Sequence, residues 1–139
     1  MGCKQKTTNI TTTLGLGSID SPYYVQAKIE HRLCAPVCVS QVPIFNPIFS
    51  VVSFAEVGSG QYVATIRVEG VVYYNPCEGN TCATRMSTIN ETFPIPFTST
   101  TAPTSVTISA GTVTNSLVAT CQNYTRDFVS DVPINLTVA

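Results

Sequence analysis

Tryptophan is absent from this chain, histidine occurs once, and only 11% of the 139 residues are charged. The single histidine, His31, excludes a two-histidine metal site by count. Seven Lys and Arg stand against eight Asp and Glu, with no basic run. Such a chain cannot form the cationic patch that neutralises phosphates, so nucleic acid is excluded as a partner. No apolar stretch approaches the roughly 18 residues a spanning helix needs, and no membrane span is expected. Met1 to Leu14 is polar and carries no apolar signal core, so either a signal has been removed or export takes another route. Gly15-Leu16-Gly17 and Gly58-Ser59-Gly60 lack the helix that a phosphate-cradling loop requires.

β-Branched residues are abundant: 17 Val, 20 Thr and 10 Ile, against five Leu and two Met. That mixture suits pleated surfaces and disfavours helices. The length is that of one domain, able to bury roughly 68% of its unfolded surface without metal or cofactor. Few charges leave a solvent face of Thr, Ser and Asn, with little repulsion between copies.

Residues 1–20 read as a flexible N-terminal arm, and residues 21–139 as the folded domain. Period-two alternation is cleanest over Val25 to Leu33. Pro36, Pro43 and Pro47 then mark a connection, and Ile48 to Val57 is a strand. Gly58-Ser59-Gly60 makes a hairpin loop, and Gln61 to Tyr74 follows with Gly70 marking a bulge or bend. Cys77 to Cys82 is a turn, and Ala83 to Phe93 is a strand stopped by Pro94 and Pro96. Thr104 to Ala110, Leu117 to Cys121 and Val132 to Val138 complete the set, Pro133 placing the start of the last at an edge. The expected fold is all-β, a two-sheet β-sandwich of jelly-roll-like type with an extended arm. The immunoglobulin variant is disfavoured because no Trp is present to pack on a disulfide.

Six cysteines point to an oxidising location. Cys34 and Cys38, and Cys77 and Cys82, have spacings suited either to disulfides or to a zinc site, though neither pair has the glycine-bearing knuckle of a zinc ribbon; buried free thiols are the third reading. Cys3, near the start of a polar arm, is badly placed to stabilise its own fold and well placed to reach another molecule. A free thiol is the alternative, as is lipidation at Cys3. Cys121 is the other distant cysteine. His31, on the apolar face of a strand, reads as a hydrogen-bonded core residue rather than a base. The carboxylates Asp20, Glu56, Glu69, Glu78, Glu91, Asp127 and Asp131 are scattered, mostly near turns. Asn9, Asn90, Asn123 and Asn135 stand in glycosylation sequons, which a Thr-rich chain also generates by chance. No catalytic constellation emerges, so no enzyme activity and no cofactor are expected.

The cysteine-bearing arm, the Val/Thr-rich domain and the late cysteine together make the chain resemble the bacterial endospore appendage subunits of the Ena type. The resemblance implies a jelly roll whose copies stack by sheet augmentation into a helical fibre. It also implies that Cys3 is the connector cysteine, forming a disulfide with a neighbouring copy, and that Cys121 is an acceptor. The chain departs from that pattern in having one arm cysteine and two additional cysteine pairs. The expected function is accordingly a structural fibre subunit on a cell or spore surface or outside the cell, its partner a copy of itself. The alternatives are a surface-anchored glycan- or protein-binding module and a viral decoration or tail protein.

Overall fold

The computed structural model describes residues 8–14, 21–76, 84–118 and 123–139. They form nine strands and no helix: β1 (Thr8–Leu14), β2 (Tyr23–Cys38), β3 (Ile44–Phe45), β4 (Ile48–Gly58), β5 (Gln61–Tyr74), β6 (Arg85–Thr98), β7 (Val106–Ala110), β8 (Thr114–Leu117) and β9 (Tyr124–Val138). Two antiparallel sheets result, as the alternating pattern predicts. Sheet A runs β1-β2-β9, with β7 and β8 both on the far side of β9; sheet B has β5 at its centre, flanked by β6 and by β3 and β4.

The registers show that the two short strands continue their neighbours. Ile44 opposes Tyr73, Phe45 opposes Val72 and Ile48 opposes Glu69, so β3 and β4 are one edge of β5 interrupted at Asn46-Pro47. Along β9, Ala110 opposes Ile134 and Thr114 opposes Asp131, an offset of one residue that makes a bulge of Gly111 to Val113. Sheet A is therefore four strands wide and sheet B three. β7 returns to lie against β4 after the consecutive strands β4, β5 and β6, which is a Greek-key path.

Alternation builds the core. In β2, Tyr23, Val25, Ala27, Ile29 and His31 are buried while the intervening residues face out, and Ala64, Ile66 and Val68 of β5 do the same from the other sheet. Phe45 and Phe128 meet edge to face at 6.0 Å between the sheets.

Several expectations are corrected. Thr8 to Leu14, assigned to a loose arm, is strand β1, paired with β2 from Thr8 opposite His31 to Leu14 opposite Val25. β2 does not stop at Leu33 but runs on to Cys38 through a register shift between Arg32 and Val37. The last strand begins at Tyr124, not Val132, and lies between β2 and the β7–β8 edge, so Pro133 sits in a central strand. Its missing N–H is tolerated because the bulge of Gly111 to Val113 lies opposite, and the Pro133 carbonyl still accepts from the Gly111 N–H at 2.8 Å. β6 runs through Pro94 and Pro96, which an edge strand permits. Of the expected strand Leu117 to Cys121, Leu117 ends β8, Val118 follows it outside any strand, and the rest lies outside the described residues.

Candidate functional site

Cys3, Cys77, Cys82 and Cys121 lie outside the described residues, as do Asp20 and Glu78. Cys34 and Cys38 occupy half-buried, outward-facing positions of β2. The chain around them bulges out of its ladder with β9, Arg32 opposing Asp127 and Val37 opposing Thr125. Cys38 is disulfide-bonded. Among the described residues no group of three His, Cys, Asp or Glu side chains could hold a metal ion.

The described carboxylates lie within strands: Glu56 near the hairpin end of β4, Glu69 in β5, Glu91 in β6, and Asp127 and Asp131 in β9. Asp127 pairs with Arg32 at 3.4 Å, both side chains about half exposed, an arrangement worth less than about 1 kcal/mol.

His31 is buried and hydrogen-bonded, as its place on an apolar face suggests. Its Nδ1 lies 2.7 Å from Thr8 Oγ1 in β1, and its Nε2 lies 2.6 Å from Ser87 Oγ in β6. The imidazole thus ties the edge strand of sheet A to sheet B. The sequence showed the histidine but not its partners, which lie 23 and 56 residues away.

One end of the sandwich carries a cavity of about 640 Å³ lined by Ser21, Tyr23, Ser59, Gln61, Thr98 and Thr100, among others. Beside it lies an apolar groove of about 430 Å³ formed by Leu14, Val57, Tyr62, Pro96 and Phe97 with Tyr23 and Thr98. Among the described residues that line them none is charged, so the chemistry these residues offer is hydrogen bonding and apolar contact rather than acid–base work. The Tyr23 hydroxyl donates to the Thr98 carbonyl and accepts from the Thr98 N–H at 3.2 Å, latching β2 to β6 across the sandwich. Tyr23→Phe is expected to cost about 1 kcal/mol in denaturant unfolding.

The four sheet edges differ in how they are guarded. β6 carries Pro94 and Pro96 and the exposed Glu91, at a position that alternation would turn inward. The β3–β4 edge is broken at Pro47, shifts register at Val52, and carries exposed Glu56 opposite buried Tyr62. Prolines, bulges and inward-pointing charges are the devices that stop edge-to-edge pairing. β1 has none of them: Thr8–Leu14 is uncharged, free of proline and regular in register. β7 and β8 are likewise without charge or proline, with the bulge between them.

Outer-facing Ile44, Tyr73 and Met86 form an exposed apolar row across sheet B, in register on three strands. Compared with family models, with curated proteins and with solved structures, the chain matches none.

Proposed function

We propose that the protein is a non-enzymatic structural subunit that assembles with copies of itself into an extracellular or cell-surface fibre. The observation that carries this reading is the bareness of sheet A: both of its edges end in strands without charge or proline. An unpaired strand edge is a template for another chain, and a head-to-tail contact that does not close yields an open filament. The sparse charge of the whole chain removes the repulsion that keeps copies apart. The Greek-key return of β7 supports the jelly-roll path that the resemblance to the Ena type implies.

The covalent lock of this reading is shorter than a 20-residue arm, because β1 takes its order from its own β2. Cys3 precedes Thr8 by five residues and so reaches at most about 18 Å from the start of β1. A disulfide from Cys3 to a neighbouring copy then fastens a contact made by the strand edge beside it.

Negative-stain microscopy of the purified, oxidised protein tests the reading. Filaments are expected, and they should persist from low to molar salt because the pairing edges carry no charge. Dispersed monomers at high concentration overturn it. Cys3→Ser is expected to leave the fold intact by circular dichroism and to make the filaments dissociate in detergent. A second reading, a surface-anchored module binding a neutral glycan, is favoured by the uncharged hydroxyl lining of the end cavity. A lipid on Cys3, found by mass spectrometry of the intact N-terminus, would support that module and exclude the disulfide.

A further inference from the structure

We infer that the joint between copies is heterologous, β1 of one copy adding to β7 of the next so that sheet A continues unbroken; this rests on the fibre reading above. The parity of sheet A is the first argument. Four antiparallel strands leave β1 and the β7–β8 edge running in opposite directions. A copy displaced sideways without rotation therefore presents β1 antiparallel to β7, and the outer face of one sheet stays the outer face of the next.

Side-chain chemistry matches in that arrangement. Ile10 of β1 and Ile108 of β7 both face inward, are partly buried and pack on their own cores. Setting Ile10 opposite Ile108 brings Asn9 opposite Ser109, Thr11 opposite Thr107, and Thr12 opposite Val106. The isoleucines then cover each other's exposed rims, while the outer row pairs hydroxyl with hydroxyl or amide, the combinations that stabilise neighbouring strands. All five residues of β7 find partners, with Thr8 opposite Ala110.

Space is the third argument. Sheet A is about 19 Å wide at the usual strand spacing and sheet B about 14 Å, so neighbours joined in the plane of sheet A do not force their narrower B sheets together. The edges of sheet B are the guarded ones, which removes them as competitors.

Two blocked variants test the joint. Thr11→Glu with Thr13→Glu charges β1 on its outer face, where Lys28 opposes Thr11 within the same chain; Thr107→Glu with Ser109→Glu charges β7. Each variant alone is expected to sediment as a monomer, and an equal mixture as a one-to-one dimer, because each supplies the edge the other lacks. Self-dimers of each variant alone would overturn the heterologous joint in favour of two-fold pairing and leave the fibre reading standing. Filaments from either variant alone would move the joint to another surface. Wild-type monomers would instead remove the fibre reading and the joint with it. Circular dichroism confirms folding, and Thr11→Glu alone and Thr107→Glu alone repeat the test with single charges should a double variant unfold.

Discussion

Gly70→Ala is expected to lower the stability of the sandwich by about 1–3 kcal/mol in denaturant unfolding, a large loss for one methyl group. A strand interior ordinarily gains from this exchange, because glycine gives up more backbone freedom on folding than alanine does, by roughly 0.5–1 kcal/mol. The sign reverses here because a Cβ at Gly70 would stand 2.6 Å from Cε1 of Phe45. That ring has nowhere to go: it is fully buried and packs edge to face against Phe128. The ladder of β5 with β6 passes through Gly70 without a shift, Glu69 opposing Asn90 and Val71 opposing Thr88. The glycine is therefore a seat for an aromatic ring and not the bulge or bend its position in the sequence suggests. A double-mutant cycle separates the two accounts. Leucine lacks the ring atoms that meet the new Cβ, so in a Phe45→Leu background Gly70→Ala should be neutral or stabilising. Equal losses in both backgrounds would refute the ring-seat account.

The sandwich was legible in the sequence wherever alternation met strong punctuation. Gln61–Tyr74 was bounded correctly because Gly58-Ser59-Gly60 precedes it and Asn75-Pro76 follows, with Gly60 taking φ 70° in the hairpin. β9 was half missed because Phe128, Val129 and Ser130 are buried in succession, which erases the period of two in a central strand. Pro133 then pointed to an edge, although the feature that accommodates it, the opposing bulge, lies more than twenty residues earlier in the chain.

β1 was missed for a different reason. Threonine occupies two inward positions, Thr8 and Thr12 beside Ile10, and two outward ones, Thr11 and Thr13, so composition conceals the alternation. What makes it a strand is the exposed edge of β2, and pairing of that kind leaves no local mark. The same blankness, no charge, no proline and no irregularity, marks β1 as an unguarded edge. The cysteines were visible as candidates, but spacing alone did not show which of them pair.

His31 is where fold and proposed function meet. An imidazole offers a donor at one nitrogen and an acceptor at the other, and a hydroxyl can serve either, so Thr8 and Ser87 satisfy the ring whichever tautomer it adopts. His31→Leu keeps the apolar bulk but strands the buried Ser87 hydroxyl and frees Thr8 at the start of β1. The expected cost is about 1–3 kcal/mol, most of it from the hydroxyl left without a partner. Adding Ser87→Ala should recover part of that loss, because an apolar pair in the same space carries no unmet hydrogen bond. Hydrogen exchange gives the local readout: β1 amides should exchange faster in His31→Leu, while β5 amides slow or quicken only with global stability. If the two substitutions add their full separate costs, or β1 exchanges no faster than β5, then His31 fills space without holding the edge strand. If β1 does loosen, the variant should also assemble less readily at unchanged surface chemistry, since a frayed edge is a poorer template for the next copy.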